Sequence, residues 1–187
     1  MVKRYETLII GVSAGGLKAL SIIFPHLPAN FPLSTIVVQH MHPTSDDFLA
    51  HHLNEACPVK VKQVDEKEPI EPGIIYIAPP NYHLLIEEDK TFSLTVDAPV
   101  NFARPSIDVL FESAADVYGR HLIGIILTGA NNDGSRGLKR IKESGGLTII
   151  QDPKTAEADA MPRAAMAAVK PDYVLSLEEI GDFLKTL

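Results

Sequence analysis

The chain has 187 residues, 17 Lys+Arg against 24 Asp+Glu, a net charge of −7, one cysteine and no tryptophan. That length fits one domain able to bury about two-thirds of its unfolded surface without a disulfide or metal staple, and a lone Cys57 favours a reducing compartment. The acidic balance excludes a basic footprint for nucleic acid or an anionic membrane surface, while 45% hydrophobic and 22% charged residues exclude disorder.

The apolar run 8–12 near the start is too short for a signal-peptide core and far too short to span a bilayer. No membrane insertion is expected, and the expected compartment is the cytoplasm. Residues 7–12 (TLIIGV) read as a buried strand and 17–24 as a helix. STIVVQ at 34–39 gives a second strand, and 45–55 a second helix capped by Ser45. GIIYIA at 73–78 is a third strand, closed by Pro79 and Pro80. The period then changes, and 84–86 with 91–96 flank a polar stretch as an antiparallel hairpin. Residues 105–118 set Ile107, Leu110, Phe111 and Ala114 at helical spacing behind Pro105. Strands at 121–127, 147–150 and 173–175 then alternate with helices at 134–143, 161–168 and 177–184.

Continuous apolar strands separated by helices predict an α/β fold. The expected architecture is a doubly wound, mainly parallel sheet with helices on both faces and the hairpin at one edge. No repeat or linker interrupts the chain, so residues 1–187 read as a single domain.

In such sheets, sites form where strands end, near the point at which strand order reverses. The first loop, Gly11-Val12-Ser13-Ala14-Gly15-Gly16, nearly matches a dinucleotide fingerprint. It fails that reading because Ser13 replaces the glycine that admits pyrophosphate, and strand two ends in Gln39-His40 instead of a ribose-binding acid. It also fits G-x-S-x-G, a sharp turn that exposes a serine hydroxyl beside backbone N–H groups. The plainer alternative is that Ser13 caps the following helix.

The second loop carries His40 at a strand end, placed to act as a base for Ser13 or to serve as a hydrogen-bonded structural histidine. His42, His51, His52, Asp46 and Asp47 nearby match no compact metal-ligand spacing, so no metal is expected. The third loop, Thr128-Gly129-Ala130-Asn131-Asn132-Asp133-Gly134, offers an Asp that either caps the next helix or orients a histidine. No Lys follows as in a P-loop, which argues against phosphate. Ser13, His40 and Asp133 together supply nucleophile, base and orienter from three strand ends. Their chain order differs from the Ser–Asp–His order of α/β-hydrolases, so triad logic is kept and that fold is disfavoured.

The runs LIIGVSAGGLKAL, VVQHMHP, PGIIYIAPPNYHLL, RPSIDVLFESAA, IILTGANNDGSRGL and QDPKTAEADAMPRAAM, taken in this order, resemble the catalytic domain of chemotaxis protein-glutamate methylesterases. The resemblance covers nearly the whole chain from about Tyr5. It implies hydrolysis of glutamate γ-methyl esters on the cytoplasmic helices of chemoreceptors, releasing methanol, with deamidation of receptor glutamine as a companion activity. No cofactor is implied. The family's catalytic residues fall on Ser13, His40 and Asp133. The backbone N–H groups of Ala14 and Ala130 become oxyanion candidates, and Arg104, Met161 and Arg163 substrate-cleft candidates.

Two substitutions depart from the family's pattern. Ala14 stands where many members carry Thr, and Ala130 where many carry Met, which bears on pocket shape while sparing the backbone donors. The first strand begins within ten residues of Met1, leaving no room for the N-terminal receiver domain that chemotaxis members usually carry. The expectation is therefore a stand-alone catalytic domain, with three alternatives open: constitutive activity, regulation by a separate protein, or work outside chemotaxis. The competing readings are an inactive binding module of the same fold and a serine esterase with another substrate.

Overall fold

The computed structural model describes residues 5–187. Its centre is a run of strands with no charged residue: β1 (Thr7–Val12), β2 (Ser34–Gln39), β7 (Leu122–Ile126) and β8 (Leu147–Gln151), in which every residue is buried. Strands buried on both faces belong in a parallel sheet covered by helices, and that is what forms. With β3 (Lys60–Gln63), β4 (Ile74–Ile77) and β9 (Tyr173–Leu175) the sheet has seven parallel strands in the order β3-β4-β2-β1-β7-β8-β9.

Strand alternation divides the core in two. Leu8, Ile10 and Val12 face one side and pack with α1 (Gly16–Ile23), α2 (Phe48–Ala56) and α6 (Leu177–Lys185). Ile9, Ile36 and Val38 face the other and pack with α3 (Ile107–Tyr118), α4 (Ser135–Glu143) and α5 (Ala160–Ala168). Among the described residues, no helix is long and apolar enough to cross a membrane.

The hairpin β5 (His83–Ile86) and β6 (Phe92–Thr95) is antiparallel as expected. It forms its own two-stranded sheet and leans on α3, where the Ile86 N–H donates to Ser113 Oγ at 3.1 Å. The sheet edge belongs instead to β3, an unforeseen strand whose KVKQ sequence buries only Val61 and so lacks a continuous apolar run. A second difference concerns α2, which starts at Phe48 with Asp47 as its N-cap. Ser45 does not cap it. Its N–H closes a turn onto His42 O at 2.9 Å, and that turn uses residues 42–45 before the helix can begin.

The sheet order fixes where a site can form. β1 is flanked by β2 on one side and β7 on the other, so the chain winds outward from β1 in both directions. The carboxyl ends of these three strands meet at the reversal point, the usual crevice of an open α/β sheet.

Candidate active site

Ser13 follows β1 directly. Its N–H donates to Thr128 O and its carbonyl accepts from Gly16 N–H, both at 2.9 Å, which closes a sharp turn before α1. Gly15 holds the left-handed conformation (φ 79°) that this turn demands, and it is the N-cap of α1. No side chain caps that helix, so Ser13 is not its capping residue. The hydroxyl is left for the cleft.

His40 follows β2 directly, its N–H bonded to Val12 O at 3.1 Å. Gln39 beside it is nearly buried, and its Nε2 donates to Ser13 O and His40 O, each at 2.9 Å. One amide thus ties the serine turn to the histidine turn. Gly16 makes room for it: a Cβ there would sit 1.7 Å from Gln39 Oε1.

Asp133 lies in the loop between β7 and α4 and is wholly buried. Its Oδ2 accepts from His40 Nε2 at 2.8 Å and from Ile107 N–H at 2.6 Å. Its Oδ1 accepts from Ser106 Oγ, Asn101 Nδ2, Asp108 N–H and Gly134 N–H at 2.8–3.1 Å. The Ile107 and Asp108 N–H groups are orphan donors of the first turn of α3, so Asp133 anchors that helix from another part of the chain. Burial alone would push its carboxyl up. The donors from His40, Asn101, Ile107 and Ser106 outweigh that and hold it below the ordinary carboxylate value.

An ionised Asp133 on Nε2 assigns the proton of neutral His40 to that nitrogen. The other nitrogen, Nδ1, keeps its lone pair and meets Asn131 Nδ2 at 3.3 Å. Ser13, His40 and Asn131 line one cleft of about 440 Å³, together with Asn81, Phe102 and Arg104. Ser13 Oγ and His40 share the cleft wall without a hydrogen bond between them. The N–H groups of Ala14 and Ala130 have no acceptor among the described residues. Thr128 braces the loop between them: its Oγ1 donates to Ala14 O at 2.8 Å and accepts from Ala158 N–H at 2.9 Å.

Of the expected cleft residues, Arg104 does line the cleft. Its guanidinium also staples the wall, donating to Val96 O, Asp97 O and Asn81 Oδ1 at 2.7–3.1 Å. Met161 and Arg163 require correction. Met161 is fully buried, and its sulfur occupies the space a Cβ on Gly129 would need, so it supports the loop from below. Arg163 is exposed on α5, paired with Asp159 one turn away at 2.6 Å, and absent from the cleft wall. The histidines after β2 do not converge: His42 meets Thr44, His51 pairs with Asp47, and His52 stacks on Phe48. The bracing roles of Gln39, Asn101 and Ser106 leave little trace in the sequence. Gln39 at a strand end next to Gly16 was the only local hint of its role.

A serine, a histidine and a buried carboxylate thus gather at the switch point of a doubly wound parallel sheet, where α/β domains of this class carry their sites. A family profile described as CheB methylesterase matches residues 8–184. A putative protein-glutamate methylesterase/protein-glutamine glutaminase of Leptospira interrogans is 56% identical over 96% of this chain and 93% of its own length. The protein-glutamate methylesterase/protein-glutamine glutaminase of Archaeoglobus fulgidus is 39% identical over 95% of this chain, which spans about half of it, 53%. The crystal structure of the Thermotoga maritima CheB methylesterase catalytic domain superposes with a TM-score of 0.93 at 35% identity, covering 97% of this chain and 98% of that one. The chain belongs to the CheB methylesterase family.

Proposed function

We propose that this protein hydrolyses glutamate γ-methyl esters on the cytoplasmic helices of chemoreceptors, with Ser13 as nucleophile, His40 as base and Asp133 as orienter. The observation that carries the reading is the His40–Asp133 bond, which commits Nε2 to the carboxylate and leaves Nδ1 as the basic nitrogen beside the cleft that Ser13 lines. Ser13 Oγ attacks the ester carbonyl carbon while its proton passes to His40 Nδ1, displacing the long contact to Asn131. The N–H groups of Ala14 and Ala130 receive the oxyanion. Collapse breaks the bond to the methoxy group, which takes the proton from His40 and leaves as methanol. Water then attacks the acyl-enzyme with His40 again as base, and the products are a glutamate side chain and free Ser13.

Asp133 stays ionised throughout and stabilises the imidazolium. The same steps with ammonia as leaving group deamidate glutamine, the companion activity carried in the relatives' names. Release of methanol from methylated receptor membranes by the wild type and by Ser13→Ala tests the reading. Release is expected from the wild type and not from the variant. Equal release from both would overturn it.

A further inference from the structure

We propose that Asn101 is a positioning residue: its amide, held between Asp133 and a second buried carboxylate, Asp108, makes alignment of the His40–Asp133 pair depend on the cleft loop 96–105. This rests on the hydrolytic reading above for its kinetic test, though not for its spectroscopic one.

Asn101 Nδ2 lies 2.9 Å from Asp133 Oδ1 and 2.8 Å from Asp108 Oδ2, so its two hydrogens serve one carboxylate each. Asp108 is buried, and its other oxygen accepts from Gly137 N–H of α4 at 2.7 Å. Without the amide between them, two buried carboxylates would face each other with that edge of each undonated, a costly arrangement in a dry interior. Burial and the charge of Asp133 already push the Asp108 carboxyl up, with the Gly137 and Asn101 bonds pulling back.

The backbone explains why this particular residue reaches in. Val100 and Ala103 exchange N–H···O bonds in both directions, at 2.9 and 3.0 Å, closing a four-residue turn. Its two central residues both have positive φ, Asn101 at 50° and Phe102 at 62°. Asparagine tolerates that region because its short polar side chain finds a local partner, and phenylalanine has no such compensation. Residues held against such preference cluster at functional sites. Phe102 is fully exposed at the cleft, while Asn101, one residue earlier, reaches the buried carboxylates. Arg104 fastens the same loop through its bonds to the carbonyls of Val96 and Asp97. One loop therefore forms the cleft wall and holds the triad carboxylate.

The charged and titratable groups around the amide are few. His40 faces Asp133 from the end of β2, and Asp108 from α3. Arg136 on α4 contributes its field from outside, paired with Glu112, and His83 of β5 meets the surroundings at two points, its Nδ1 accepting from Ser106 N–H and its Nε2 lying 3.0 Å from Ala98 O of the same loop.

The pH dependence of kcat for methanol release by wild type, Asn101→Ala and Asn101→Asp, with Ser13→Ala as blank, separates positioning from packing. Asn101→Ala should lower kcat about 10- to 100-fold at every pH, with the wild-type profile shape. Asn101→Asp introduces a third carboxyl whose pKa is raised by its two neighbours. While protonated it still donates, and once ionised it repels. Its kcat should therefore fall as pH rises, creating an alkaline limb that Asn101→Ala lacks. Parallel profiles for the two variants, or wild-type kcat in Asn101→Ala, would overturn the proposal. The downfield NMR resonance of the His40 Nε2 proton supplies the second readout. It should shift or broaden in folded Asn101→Ala, and an unchanged resonance would equally sink the idea. A wild type that releases no methanol would refute the hydrolytic reading and leave this resonance to decide the role of Asn101.

Discussion

At the scale of single residues, the site is governed by where one buried charge finds its donors. Asp133 is wholly buried, yet six hydrogen bonds from five other residues and its own successor keep it ionised. Asp133→Asn should cut kcat by about four orders of magnitude through the wrong histidine tautomer, as measured by methanol release. The same charge has a signature in stability. Its carboxyl is depressed in the folded state, so its contribution is present above the unfolded value of about 3.9 and is lost as pH falls through the folded value. Acid unfolding followed by circular dichroism should therefore be steeper below about pH 4 in the wild type than in Asp133→Asn. Ser13, His40 and Asp133 stood out in the sequence because each sits at the end of an apolar run. Their supporting donors did not. Asn101 and Ser106 precede α3 and lie far from Asp133 in the chain, so only the packed α3–α4 face brings them together.

At the scale of elements, turns carry the geometry. Gly16 opens α1 with no room for a methyl group beside Gln39. Gly16→Ala should force Gln39 off the Ser13 and His40 carbonyls, destabilise the fold by about 1–3 kcal/mol and lower kcat. Thermal melting together with methanol release checks both halves. Ser176 offers the contrast. It caps α6 in a reciprocal pair, its Oγ accepting from Glu179 N–H at 3.2 Å while Glu179 Oε2 accepts from Ser176 N–H at 2.8 Å. Ser176→Ala should cost about 1 kcal/mol, a few degrees in Tm, with kcat unaltered. The strands β1 and β2 have the bounds their sequences predict, since burial on a parallel sheet leaves a plain signal, and β9 also matches 173–175 through its short apolar run although two of its three residues are exposed. β3 was invisible for the opposite reason, because a polar edge strand alternates too weakly to separate from a loop.

For the whole molecule, the sheet divides two apolar cores, and its central strands are sealed by both. Hydrogen exchange should be slowest in β1 and β7 and markedly faster in β3 and β9, where Lys60, Tyr173 and Val174 are exposed; mass spectrometry of exchanged peptides reads this directly. Uniform exchange across all seven strands would contradict it. The parallel fold was legible from alternating runs alone. The detached position of the hairpin was not, because its contacts are with α3 and with the backbone of residues 67–70, and no sequence period records which neighbour an antiparallel pair chooses.

The anchoring of α3 by Asp133 has a practical consequence. The carboxylate that orients His40 also satisfies the first turn of a helix at the heart of one core. Turnover and tertiary order are thus two readings of the same hydrogen bonds. On heating, loss of methanol release and loss of the near-ultraviolet signal should superimpose, and an activity assay doubles as a thermometer of the fold.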